Sequence, residues 1–104
     1  MKVKNVDHFL VNPGWGKNLL FVKVTTDNGL VGWGECYTQS DRDKTVVVHI
    51  EHLASYLIGR DPFEIKYFNQ IVFDDYSSRR GSMEIYSALS GIEQALWDIC
   101  GKAT

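Results

Sequence analysis

Cysteine and proline are scarce in this sequence, two of each, and the cationic residues have no surplus, with eleven Lys and Arg against thirteen Asp and Glu. Cys36 and Cys100 lie too far apart for a zinc knuckle or a redox pair. They read as small, partly buried hydrophobes with free thiols, which suits a reducing compartment and sets the cytoplasm as the expectation. A formal net charge of -2 supplies no polycation, so a nucleic-acid partner is not expected. Apolar runs such as Leu19 to Val22 fall far short of the roughly 20 residues that span a bilayer, and no membrane association is expected. Lys2, Lys4, Asp7 and His8 interrupt the first twelve residues, so they do not read as an export signal.

What remains is an ordinary globular composition, 44% hydrophobic and 23% charged, in a chain of 104 residues. That length holds one domain with a core that needs neither disulfide nor structural metal.

Val3 to Leu10 and Leu19 to Thr26 are short, rich in Val, Phe and Leu, and partly alternate in polarity, as half-buried strands do. Asn12-Pro13-Gly14-Trp15-Gly16-Lys17-Asn18 between them has loop chemistry. Asp27-Asn28-Gly29 offers left-handed conformations for a tight hairpin, and a third strand covers Leu30 to Tyr37. In Val31-Gly32-Trp33-Gly34-Glu35 the glycines share one face, open to close approach by another backbone.

Helical spacing then begins. Val46, Val47, Ile50, Leu53, Ala54 and Leu57 predict a helix from about Asp41 to Leu57, stopped by Gly59. Asp61-Pro62-Phe63-Glu64 opens a second with a capping box, carrying Ile65, Phe68, Ile71 and Val72. Ile85, Leu89, Ile92, Leu96 and Ile99 define a third that ends at Gly101, with Ser87, Gly91 and Ala95 forming a strip of small side chains. The expected fold is therefore α+β, a three-stranded antiparallel meander followed by three helices on one face. No repeat or linker divides it.

No motif is a self-sufficient active site. His49, Glu51 and His52 share a helix and could ligate a metal, but solvated polar residues opposite an apolar face are the ordinary outcome. Glu35, among apolar neighbours, has the make-up of a buried base, yet without a second acid or a metal a structural role is expected. The loop from Asn12 to Asn18 and the segment from Tyr37 to Lys44 belong to one end of a meander, either closing jointly over a ligand or standing as two solvated connections. Arg79 and Arg80 offer guanidinium forks for a carboxylate, with surface solvation the plainer reading.

Three blocks carry a resemblance. Phe21-Val22-Lys23-Val24-Thr25-Thr26-Asp27-Asn28-Gly29-Leu30-Val31-Gly32-Trp33-Gly34-Glu35, Tyr56-Leu57-Ile58-Gly59-Arg60-Asp61-Pro62 and Ser87-Ala88-Leu89-Ser90-Gly91-Ile92-Glu93-Gln94-Ala95-Leu96-Trp97-Asp98-Ile99 occur in the order and at the separations of the N-terminal capping domain of the mandelate racemase and muconate lactonizing enzyme group of the enolase superfamily. Pro13-Gly14-Trp15 and Arg80-Gly81 further resemble the galactonate-dehydratase type of sugar-acid dehydratase. Gly16-Lys17-Asn18 and Ser82-Met83 depart from that pattern.

The resemblance implies that residues 1 to 104 are the capping domain, with the catalytic barrel absent from this chain and due to begin where it ends. It implies a parent enzyme that abstracts the proton beside a sugar-acid carboxylate and expels a β-hydroxyl as water through an enediolate, with Mg2+ bound by the missing barrel. The chain alone would be inactive and would hold no catalytic or metal residue. Its loops would shape the substrate pocket, with Trp15, Lys17, Tyr37, Arg42 and Arg80 as candidate substrate-binding residues. Its partners would be its own C-terminal barrel, a small sugar acid and, at full length, further copies in a homo-oligomer. The rivals are a cap for a racemase, epimerase or cycloisomerase, and a stand-alone interaction module. A cap would leave one side of the third helix exposed as an apolar patch, whereas a stand-alone module would cover it.

Overall fold

A computed structural model describes residues 1–39, 41–75 and 83–104. The elements run β1 (Val3–Val11), β2 (Leu19–Thr26), β3 (Val31–Cys36), α1 (Asp43–Leu57), α2 (Ile65–Asp75) and α3 (Met83–Ala103). The sheet is antiparallel in the order β1-β2-β3, with a register irregularity between Val3 and Asn5. The expected architecture, three strands and then three helices, is the observed one.

Alternation along β2 sets the layering. Leu20, Val22, Val24 and Thr26 are buried toward the helices, while Leu19, Phe21, Lys23 and Thr25 lie on the outer face. Val46, Ile50, Leu53 and Leu57 of α1, Phe68 and Val72 of α2, and Ile92, Leu96 and Ile99 of α3 complete one core. The outer face keeps a partly exposed aromatic pair, Phe9 and Trp33, with ring centroids 5.7 Å apart.

The glycine face of β3 receives α3 closely. A methyl group on Gly32 or Gly34 would fall inside contact distance of the Ala95 or Gly91 carbonyl oxygen, and one on Gly91 would meet the Cys36 sulfur. The same approach closes the free edge of β3. Gln94 Oε1 accepts from the Glu35 N–H (3.1 Å) and Gln94 Nε2 donates to the Glu35 carbonyl (3.0 Å). Asp98 Oδ2 accepts from the Trp33 N–H (2.9 Å), and Lys102 Nζ donates to the Val31 carbonyl (2.7 Å). Three side chains four residues apart on one helix face thus take the place of a fourth strand. The Trp33 N–H, and then Lys102, hold the Asp98 carboxyl below its ordinary pKa.

β1 extends to Val11, β3 is trimmed to Val31–Cys36 and α1 starts at Asp43, and two helix ends depart from the signals that predicted them. Helix α3 runs through Gly101 to Ala103, and the Thr104 hydroxyl donates to the Cys100 carbonyl beyond it. An interior glycine costs about 1 kcal/mol, too little to end a helix that is packed over several turns. Helix α2 begins at Ile65, because Asp61 instead builds a capped turn in which its carboxylate accepts from the Phe63 N–H and its carbonyl from the Glu64 N–H. In the β2–β3 hairpin only Gly29 takes a positive φ (88°), whereas the Asn28 side chain bonds the Thr26 hydroxyl.

Candidate functional site

The loop after β1 and the segment after β3 meet at one end of the sheet, and polar side chains join them. Asn12 Oδ1 accepts from the Gly14 N–H at 2.7 Å, folding the Pro13-Gly14 turn back on itself. Asn12 Nδ2 donates to Asn18 Oδ1 at 2.8 Å, and Asn18 Nδ2 donates to Asp43 Oδ2 at 2.6 Å. The Thr38 hydroxyl donates to the Asn18 carbonyl at 2.6 Å. Asp43, only 5% exposed, uses its other oxygen for the Lys44 N–H.

This framework sets the Lys17 ammonium 4.4 Å from the centroid of the Tyr37 ring, a cation–π geometry. Beside it opens a cleft of about 270 Å3 lined by Lys17, Glu35, Cys36, Tyr37, Thr38 and Gln94. The lining offers an ammonium, a phenol, a hydroxyl, an amide and a carboxylate, which can exchange hydrogen bonds with a polyhydroxylated ligand. Its cysteine is not a reactive thiol: Cys36 is 2% exposed, and burial pushes its pKa up to about 12, so it stays protonated. Glu35 is exposed, and the environment of a buried base is not there.

Of the other residues singled out, Trp15 stands at the loop tip, 81% exposed. Arg42 precedes α1 and pairs with Glu84 at 3.2 Å, which ties it to the start of α3 and away from the cleft lining. Arg79 and Arg80 lie outside the described residues. Glu51 faces His8 of β1 at 3.5 Å, and burial lowers the His49 pKa against the opposing charge of Glu84. Among the described residues no group of three or more His, Cys, Asp or Glu could hold a metal ion. No helix among them is long and apolar enough to cross a membrane.

The Asn12–Asn18–Asp43 chain and Gln94 were not singled out from the sequence. Gln94 had a signal, since it lies four residues before Asp98 and eight before Lys102 beside the strip of small residues.

A second hollow, about 610 Å3 and mainly apolar, lies between the start of α2 and the end of α3, with Phe63, Tyr67, Trp97, Cys100 and Thr104 in its wall. Phe63, Tyr67 and Trp97 are 48%, 49% and 59% exposed. Among the described residues one side of α3 is therefore an exposed apolar patch.

Comparison with known proteins agrees with this anatomy. The family model described as "Mandelate racemase / muconate lactonizing enzyme, N-terminal domain" matches residues 15–104. D-galactonate dehydratases of Pectobacterium atrosepticum and Klebsiella pneumoniae are each 40% identical over 103 residues, covering 99% of this chain and 25% of their own length. The crystal structure of a mandelate racemase/muconate lactonizing enzyme-like protein from a Roseovarius species is 35% identical, with a TM-score of 0.87, covering 99% of this chain and 27% of that one. The chain thus spans about a quarter of the length of the relatives it matches.

Proposed function

The chain belongs to the mandelate racemase/muconate lactonizing enzyme N-terminal domain family of the enolase superfamily, and from that premise we propose that it is the substrate-capping domain of a sugar-acid dehydratase. The observation that carries the reading is the Lys17–Tyr37 contact beside a polar cleft, at the sheet end where two loops are tied together. The 40% identity to D-galactonate dehydratases supports an aldonate as the substrate class.

The division of labour follows the resemblance. Proton abstraction, loss of the β-hydroxyl and the binding of magnesium fall to a C-terminal barrel in this proposal, and among the described residues no group of three or more His, Cys, Asp or Glu could hold a metal ion. The cap encloses and orients. Lys17, Tyr37 and Thr38 hydrogen-bond substrate hydroxyls or carboxylate, while Trp15 presses on the substrate or the barrel rim. Arg80 is assigned the same role from the resemblance alone. Arg42 acts through Glu84, fixing the start of α3. The apolar hollow at Phe63, Tyr67 and Trp97 is the seat for the barrel. The proposal extends to a homo-oligomeric enzyme in the cytoplasm, where the two free thiols are stable.

The test assays the domain joined to its barrel against aldonic and aldaric acids with magnesium. Turnover is expected with one class of these acids, with KM raised about tenfold, roughly 1.4 kcal/mol, in Lys17→Ala and Tyr37→Ala and metal affinity unchanged. Metal-dependent turnover by the purified 104-residue chain, or an unchanged KM in both variants, overturns the reading.

A further inference from the structure

We infer that Asn18 is a positioning residue that holds Lys17 against Tyr37 by joining three separate segments of the chain. Its side chain receives a hydrogen bond from Asn12 at the end of β1 and donates one to Asp43 in the first turn of α1, while its carbonyl receives one from Thr38 after β3. Lys17 is the next residue back along the chain, and its ammonium lies 4.4 Å from the Tyr37 ring centroid. Tyr37 in turn adjoins Thr38, and its carbonyl accepts from the Ser87 hydroxyl of α3. Both partners of the cation–π contact are therefore flanked by residues that hydrogen-bond to each other, and the contact is set from outside the cleft.

The direction of the Asn18–Asp43 bond makes the arrangement selective. Asp43 is acceptor-only when ionised, and one of its oxygens already takes the Lys44 N–H, so its partner at position 18 must donate. Asparagine does; an aspartate of the same shape sets two carboxylates face to face within a shell that leaves Asp43 only 5% exposed. Because Asn18 lies outside the cleft lining, its effect on a ligand passes through Lys17.

That this cleft faces substrate rests on the proposed function, but the test does not need a substrate. In the 104-residue chain, nuclear Overhauser contacts between the Lys17 methylenes and the Tyr37 ring, and the upfield ring-current displacement of those methylenes, report the contact directly. Asn18→Asp is expected to abolish both, and the exchanged pair Asn18→Asp with Asp43→Asn, which restores one donor facing one acceptor, is expected to recover them. A residue that only adds stability would change the melting temperature without moving Lys17 in the molecules that stay folded. The inference is overturned if folded Asn18→Asp keeps the contact, or if the folded exchange variant does not regain it. Should Asn18→Asp fail to fold, Thr38→Val decides the question: loss of the Lys17–Tyr37 signals sustains the inference and their persistence overturns it. An unaltered KM in Lys17→Ala of the joined enzyme would remove the substrate role of the cleft and leave this spectroscopic result standing.

Discussion

Gly34 of β3 and Gly91 of α3 face each other across the sheet–helix interface, and a β-carbon on Gly34 would strike the Gly91 backbone carbonyl. Backbone cannot swing aside as a side-chain tip can, so Gly34→Ala must push helix and strand apart. The expected cost is about 1–3 kcal/mol or more, read as a lowered melting temperature. Gly101→Ala is the control: its methyl group meets nothing within 4 Å on a helix that continues to Ala103, and it should stabilise by about 0.5–1 kcal/mol. Equal stability in the two variants would show that the close approach does not govern this interface.

Cys36 gives the fold a signature at alkaline pH. Its thiol is held at about 12 by burial, against 9.0 for an ordinary cysteine, so the folded chain keeps a proton that the unfolded chain releases. The contribution is complete below about pH 9 and is lost progressively as pH rises toward 12. Melting temperatures measured from pH 8 to 11 should fall more steeply for the wild type than for Cys36→Ala, in which other titrating groups are unchanged. Parallel curves would contradict the assignment. Iodoacetamide at pH 8 should leave Cys36 unmodified until the chain is unfolded.

Trp15 separates enclosure from folding. At 81% exposed it contributes little to the core, so Trp15→Ala should leave the unfolding free energy of the chain within about 0.5 kcal/mol of the wild type. In the domain joined to its barrel the same substitution should raise KM and lower kcat while metal affinity is preserved. A drop in stability with normal kinetic constants would mean that the indole rests on the sheet instead.

The uncovered side of α3 predicts how the chain behaves alone. Phe63, Tyr67 and Trp97 surround an apolar hollow of about 610 Å3, and the separate chain should self-associate and bind a hydrophobic dye. Trp97→Arg should reduce both without lowering the melting temperature. A wild-type chain that stays monomeric in light scattering at high concentration and binds no dye would count against this.

The periodicities of β2, α1 and α3 exposed the fold in the sequence, because one face of each is buried against the same core and alternates as its geometry requires. The glycines of β3 and the strip Ser87, Gly91 and Ala95 were each legible as places of close approach, and the structure packs the one against the other. At the site, Lys17 and Tyr37 were legible by loop position, and the structure brings them together. What joins them was not, since Asn18 and Asp43 are 25 residues apart and nothing local marks which asparagine meets which carboxylate. The partner of Arg42 was hidden for a related reason: Glu84, which it meets at 3.2 Å, lies 42 residues further along the chain. Gly101 misled because an unpacked glycine near a helix end is indistinguishable, without the backbone, from a terminating one.

The side chains that close the edge of β3 also impose a schedule. Lys102 is separated by 71 residues from the Val31 carbonyl it occupies, and Gln94 by 59 from Glu35. At synthesis rates of about 5–20 residues per second, roughly 4–14 s pass between the emergence of Val31 and that of Lys102. During that interval the strand edge is bare and able to template a neighbouring nascent chain, so the synthesis of α3 determines how long the first layer stays adhesive.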